Sequence, residues 1–380
     1  MKVATVLFKD DSFLRELNSD NLDFSAADLI LGFGERNLLS DEKVFNQLKN
    51  KFPTAQLILC SSAGEIYENE VLDHTISLTA IKFSSTVIKT YEVDITAFEN
   101  SFQAGASLIE KFDQEDLKLV LILSDGGKVN GSELVNGMNS VKKEEVLIVG
   151  GLAGDAAKFE KTVVGLNEIP TPGKIAAVGF YGQKLAVSHG SLGGWESFGL
   201  ERVVTKSESN VLYEIDGKNV LDLYKIYLGK YADELPGSAL LFPLSIRIDG
   251  VEEPIVRTIL SIDETNQTMT FAGDVPKGSK VRFMKANFDR LIDAASEAAA
   301  SCLEVNSFNP KLALLISCVG RKLILGGRID EEVEAVADIF GDKTIISGFY
   351  SYGEISPLKA FGECVLHNQT MTITCINEIE

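Results

Sequence analysis

The chain has 380 residues, with 36 Lys plus Arg against 55 Asp plus Glu and a formal net charge of −19. With no basic cluster to offset it, that balance repels a phosphate backbone and an anionic lipid surface, so neither nucleic acid nor membrane is expected as a partner. Hydrophobic residues make up 45% and charged ones 24%, the mix of a globular protein long enough for two or three domains, and no apolar run reaches the ~18 residues of a membrane span.

In chain order, "MKVATVLFKDD" predicts a strand that meets charge too early for a secretory signal, so a cytoplasmic location is expected. A short helix is predicted near "DSFLREL". Strand "ADLILGFG", helix "DEKVFNQLKNKF" and strand "AQLILCS" follow, and the last runs into "ILCSSAGEIY", where Gly64-Glu65 precedes the alternating strand "HTISLTAIKF". The pattern then recurs. Helix "FENSFQAGASLIEKF", strand "LKLVLILSDGG", helical stretch "GSELVNGMNSV" and strand "EEVLIVGG" lead to Gly154-Asp155 and strand "KIAAVGFYG".

A different region spans roughly residues 183 to 280. The spacing of Val220, Leu223, Tyr224, Tyr227 and Leu228 predicts a helix after the Asp216-Gly217 turn. This helix is expected to pack between two lobes, burying Leu223 and Tyr227. Strand-like segments "SALLFPLSIRI", "VRTILSI" and "TMTFAGDV" accompany it. A third copy of the unit follows: helix "ANFDRLIDAASEAAASCL", strand "KLALLISCVG", helix "DEEVEAVADIF", strand "KTIISG", then "GFYSYGEISP" with Gly353-Glu354, and strand "QTMTITCINE".

Strands joined through helices imply parallel pairing, so the expected class is α/β: mixed, mostly parallel sheets built from three strand-helix-strand-helix-strand pseudo-repeats in two lobes. Gly64, Gly154 and Gly353 should occupy equivalent places, each just past a parallel strand. Open α/β sheets bind ligands at the carboxyl ends of strands, where these polar turns fall.

The strings "GFYSYGEISP", "HNQTMTI" and "SCVGRKLILG" resemble the C-terminal FIST domain, and "FPTAQLILCSSAGEI" and "NVLYEIDGKNVLDLY" resemble the N-terminal one. The name stands for F-box and intracellular signal transduction. The resemblance divides the chain into 1–218, with two pseudo-repeats, and 219–380, with the third repeat plus the bridging segment. It implies a sensory module that binds a small molecule such as an amino acid. A stand-alone pair is expected to signal through a separate protein, such as a histidine kinase, chemoreceptor or cyclic-nucleotide enzyme. Some relatives bind haem, which implies that alternative here.

Haem needs an axial His or thiolate. Of the three histidines, His74 opens a strand, His367 stands in the C-terminal motif, and His189, leaving a strand into a Gly-rich loop beside the one tryptophan, is the candidate. No cofactor is required by the rest of the sequence. Five scattered cysteines without a CxxC read as reduced, packed thiols. A hydrolase would draw on Cys318, near Arg321, or on Ser61 in "CSSAG", which lacks the first glycine of a nucleophile elbow. A zwitterionic ligand fits the residue types better than either. Glu65, Asp155 and Glu354 can accept from an ammonium, and Arg321 can grip a carboxylate. Ser61, Ser62 and backbone N–H groups of the turns at Gly64 and Gly353 add donors, and Tyr350 and Tyr352 offer apolar faces with polar tips. In this reading Cys318, Arg321, Tyr350, Tyr352 and Glu354 share one pocket wall, and Glu354 is the partner of Arg321. No catalytic residue is assigned.

Overall fold

The computed structural model describes residues 1–380 except 236, 248–253, 306–307, 358–361 and 380; Ile248, which ends the predicted strand "SALLFPLSIRI", lies outside the described residues. The first unit holds β1 (Lys2–Lys9), β2 (Leu29–Gly34), β3 (Gln56–Ser61), β4 (Glu65–Tyr67) and β5 (Ile76–Lys82). The second holds β6 (Val87–Asp94), β7 (Leu117–Ser124), β8 (Leu147–Leu152), β9 (Val164–Leu166) and β10 (Lys174–Tyr181). The third holds β11 (Leu185–Leu192), β12 (Leu312–Cys318), β13 (Ile345–Ser351), β14 (Gly353–Pro357) and β15 (Met371–Glu378).

Each unit orders its own strands third, second, fifth, first: β3-β2-β5-β1, β8-β7-β10-β6 and β13-β12-β15-β11. The fourth strand leaves its unit. β4 pairs with β13 of the third unit, β9 with β3 of the first, and β14 with β8 of the second. This cyclic exchange ties the three units into a ring with pseudo-threefold order. The sheets are mixed. Parallel pairing is held to one pair per unit, β2 with β3, β7 with β8 and β12 with β13, because the fifth strand returns antiparallel beside the second.

The central strands read as unbroken apolar runs because both of their faces are buried. Alternate residues go opposite ways. Leu29, Leu31 and Phe33 join Leu119, Leu121, Leu123, Leu312, Leu314 and Ile316 in one core shared by all three sheets. The residues between them face helices. Ile30 meets Val44 and Leu48 of α1 (Glu42–Lys51). Val120 and Ile122 meet Leu108 and Leu134 of α2 (Ser101–Glu110) and α3 (Gly131–Asn139). Those two helices touch closely, since a Cβ on Gly137 would lie 2.0 Å from the Phe102 carbonyl.

Residues 196–285 form a separate body inserted between β11 and the next helix of the third unit. Its eight-stranded sheet and α4 (Val220–Leu228) enclose their own core. Two expectations change here. Helix α4 buries Leu223 in that core, while Tyr227 is only partly buried and stacks on Phe283 at 4.1 Å; the helix serves the insert and does not lie between lobes. "DSFLREL" is not a helix: Ser12–Leu17 pairs antiparallel with β1, because Asp10 and Asp11 take positive φ (48° and 60°) and turn the chain into a tight hairpin. The third unit's helices are α5 (Phe288–Val305), α6 (Val319–Leu325) and α7 (Ile329–Phe340). Among the described residues no helix is long and apolar enough to cross a membrane.

Candidate functional site

The turns after β3, β8 and β13 meet around one centre. Ala63 N–H donates to the Tyr350 carbonyl and Tyr350 N–H to that of Gly64, both at 2.8 Å; Gly154 N–H donates to Ser61 O at 2.9 Å, and Tyr352 N–H to Leu152 O at 3.1 Å. Gly64, Gly154 and Gly353 each lie just past a parallel strand, as the repeat predicts, but for different reasons. Gly64 has φ +153°, which a side chain rarely adopts; Gly154 has no such positive φ but lies against Ala63, whose amide nitrogen would stand 2.9 Å from an added Cβ.

The acids of the first and third turns make the same contacts. Ser62 Oγ donates to Glu65 Oε1, while the Thr75 amide and hydroxyl donate to Oε2 at 3.2 and 2.8 Å. Ser351 Oγ donates to Glu354 Oε1 at 2.8 Å, while the Thr370 amide and hydroxyl donate to Oε2 at 3.2 and 2.8 Å. Each carboxyl therefore clamps its turn to the residue that leads into the fifth strand. Burial pushes Glu65 up to about 7 and Glu354 up to about 8, against these hydrogen bonds. Asp155 works differently. It accepts from the amides of Phe159, Glu160 and Lys161 (2.9, 3.1 and 2.9 Å), from Arg36 at 3.0 Å and from the Tyr352 hydroxyl.

Arg321 is not a pocket wall, and Glu354 is not its partner. The guanidinium is fully buried. It donates to Glu332 Oε1 on α7 at 2.6 Å and to the carbonyls of Gly193, Leu291 and Gln369. Tyr350, also fully buried, donates its hydroxyl to Glu332 Oε2 at 3.0 Å, so it completes that pair and does not face a ligand. A fully buried guanidinium needs every donor satisfied, and helix α7 supplies the anion.

His189 lies within β11, not at its end, and its Nε2 stands 3.3 Å from the Pro357 carbonyl; burial lowers its basicity. The ring is enclosed by protein, where an iron ligand would need an open face. His367 is a satisfied buried histidine, 3.0 Å from Ser356 O and pushed down to about 4 by burial. All five cysteines are buried and free. Ser61 is fully buried and its Oγ accepts from Val163 N–H at 3.0 Å. Burial pushes the Cys318 thiol far up, the reverse of an activated thiolate.

Among the open regions is a cleft between the insert and the ring, in two adjoining chambers that share lining residues. The inner one, about 230 Å³, takes Cys318 from the end of β12, Val319 and Gly320 from the start of α6, Tyr352 from the turn before β14, and Thr258, Ile259 and Leu260 from the insert. The outer one, about 420 Å³, shares Phe159, Tyr352, Leu260 and Ala272 with it and adds Lys128, Glu160, Lys161 and Asp274. Phe159 stacks on Tyr352 with ring centroids 4.6 Å apart, held by the turn that Asp155 pins. Two side chains lining the inner chamber carry buried polar atoms without a hydrogen-bond partner, Asn368 Oδ1 and Thr258 Oγ1. An unmade buried hydrogen bond costs about 1–3 kcal/mol.

Of the sequence-predicted residues, Cys318 and Tyr352 reach the cleft. Ser62, Glu65 and Asp155 border only a crevice of about 30 Å³ near Arg36 and the exposed His74. Asn368, Thr258, Leu260 and Phe159 were missed. Asn368 lies in the quoted "HNQT", and its signal was a run of polar residues just before an apolar strand; the insert residues carried none.

A curated relative, an uncharacterized protein of Methanocaldococcus jannaschii, is 23% identical over 325 residues, 79% of this chain and 61% of that protein; the chain thus spans about three fifths of its relative's length. Two solved cyanuric acid hydrolases align over nearly the whole of both chains. One from A. caulinodans has 7% identity and a TM-score of 0.40 over 100% of each chain, and the other has 8% and 0.35 over 99% of each. Likenesses that distant carry nothing about this chain's chemistry. The FIST N domain model matches residues 28–218 and the FIST C domain model residues 221–357, and the chain therefore belongs to the FIST family.

Proposed function

We propose that this protein is a sensory module of intracellular signal transduction that binds a small metabolite in the cleft between insert and ring. The reading rests on the inner chamber, whose largely apolar wall is drawn from both the insert and the ring and includes the side chains of Thr258, Asn368 and Tyr352. Ligand pockets combine an apolar lining with a few placed polar groups in this way. An amino acid or related metabolite suits the two chambers together. Its apolar portion enters the inner one, and its charged end meets Lys128, Lys161, Glu160 and Asp274 outside. Because Thr258–Leu260 belong to the insert and Tyr352 to the ring, an occupant fastens the two bodies, and a separate signalling protein reads that change. The proposed role is binding; Cys318 and Ser61 are both buried, and burial pushes the Cys318 thiol up, which speaks against an activated nucleophile at either.

A thermal-shift screen of amino acids and neighbouring metabolites tests this. A ligand present at about 100 times its Kd adds ~2.7 kcal/mol of stability and raises the melting temperature. Leu260 is 45% exposed, so Leu260→Arg should fold normally and fill the cleft. Loss of the shift in Leu260→Arg, and a Tyr352→Ala affinity weakened ~10-fold, about 1.4 kcal/mol, are expected. No stabilising compound across the screen, or one that binds Leu260→Arg equally well, overturns the reading.

A further inference from the structure

We infer that Phe159 is a stacking surface for the ligand, so that the cleft takes a molecule whose apolar portion is a planar, uncharged ring. The inference rests on the cleft being the ligand site. Phe159 is 49% exposed and lines both chambers, in company with Tyr352 and, from the insert, Leu260 and Ala272. Among the described residues it joins no hydrophobic core, so packing does not account for it. Its backbone is also held where a bulky residue rarely sits, at φ +53°. Such positions persist only where neighbours fix them, and they collect at ligand clamps. Here the neighbours are explicit. The Phe159 N–H donates to Asp155 Oδ1 at 2.9 Å and is shared with the Tyr352 hydroxyl at 3.1 Å. That hydroxyl in turn donates to Asp155 Oδ1. One carboxylate thus positions both aromatic side chains, which stack with centroids 4.6 Å apart and planes 20° from parallel.

The loop at the end of β7 braces the pair, since a Cβ on Gly126 would lie 3.2 Å from Tyr352 Cδ2. Tyr352 is the one aromatic contact of Phe159 among the described residues, and about half of the phenyl surface stays open to the cleft. An aromatic face fixed in this way favours a second π system, offset or edge-on, with centroids ~4.5–7 Å away. The charge of that group follows from the lining. No Lys, Arg, His, Asp or Glu lines the inner chamber, so an ion there would meet no opposite charge. The size follows as well. At about 230 Å³ the inner chamber exceeds the ~150 Å³ of an apolar cavity that holds benzene.

Benzyl alcohol and cyclohexylmethanol are both neutral and differ in whether their carbon ring is planar. Apolar area alone favours the saturated one, so the opposite order reports stacking. In NMR titrations of the full chain, benzyl alcohol should bind about 2- to 10-fold more tightly, the gain of an aromatic pair, and its ring protons should move upfield. Phe159→Leu stays apolar but offers no face, and should level the two alcohols or reverse their order. If that variant fails to fold, Phe159→Gly, which suits φ +53°, still decides, with the same loss of preference expected. Cyclohexylmethanol binding as tightly as benzyl alcohol, ring protons that do not shift, a preference that survives Phe159→Leu, or neither alcohol binding overturns the inference. The reading beneath it fails separately: if either alcohol binds and Leu260→Arg leaves that binding intact, the cleft is not the site. Cyclohexylmethanol winning while Leu260→Arg abolishes the binding of both sinks only the stacking role of Phe159.

Discussion

Every donor contact of Arg321 ends inside the protein. The guanidinium bridges α6, α7, the loop at Gly193 and the start of α5, with Glu332 as its single carboxylate and Tyr350 closing the other oxygen of that carboxylate. Removing one partner of such a pair strands a buried charge, which costs about 3–5 kcal/mol; replacing both by apolar groups of similar volume is often neutral. Arg321→Ala should therefore lower stability by ~3–5 kcal/mol in denaturant unfolding, and the double variant Arg321→Met with Glu332→Leu should recover most of the loss. Ligand affinity per folded molecule should not change in either. A weakened affinity with unaltered stability would return Arg321 to the binding site. The partner was readable in the sequence. Ile329, Glu332, Val333 and Val336 fall on one helical face, so Glu332 sits within the apolar stripe of α7, and only Val333 and Val336 around it are ordinary core.

The clamped turns show what a repeat in sequence does and does not reveal. Ser-x-x-Glu is visible twice because turn chemistry is local, and the same strings predicted equivalent glycines. Which sheet the following strand joins is not local. β4, β9 and β14 are three to five residues long and could pair with any exposed edge; their exchange between units is decided by the assembled ring. The clamp also makes stability depend on pH. Burial raises Glu354 to about 8 in the folded chain, above its ordinary value of 4.5 in the unfolded one. Between those values the folded state holds more protons, so stability is full below about pH 4.5 and falls as pH rises through about 8. Glu354→Gln keeps a neutral side chain and removes the titration. Denaturant midpoints from pH 5 to 8 should fall for the native chain more steeply than for Glu354→Gln. Parallel curves would mean that the carboxyl is already ionised when folded, with Ser351 and Thr370 outweighing its burial.

The molecule as a whole joins two bodies with different claims on the fold. The ring has one shared core and exchanges a strand across each unit boundary, so no unit is complete alone. The insert has its own core. Sequence periodicity found the units but not the cleft, because its walls come from residues far apart in the chain: Phe159, Thr258 and Cys318 have no local pattern in common. The insert's entry and exit adjoin. Glu196 pairs with Lys285, and a Cβ on Gly194 would lie 2.2 Å from the Arg290 carbonyl. Bodies whose ends are close can be added to or removed from a host with little effect on its core. Replacing residues 196–285 by a short turn should therefore leave a ring that unfolds in one cooperative transition, followed by circular dichroism, while binding at the cleft is lost with Thr258 and Leu260. A cut after residue 218 should do the opposite. It leaves β4 without β13, β8 without β14 and β11 without β15, exposing strand edges and half of the shared core, and that fragment should collapse or aggregate. If the excised ring fails to fold while the fragment 1–218 folds alone, the strand exchange is not what holds the three units together.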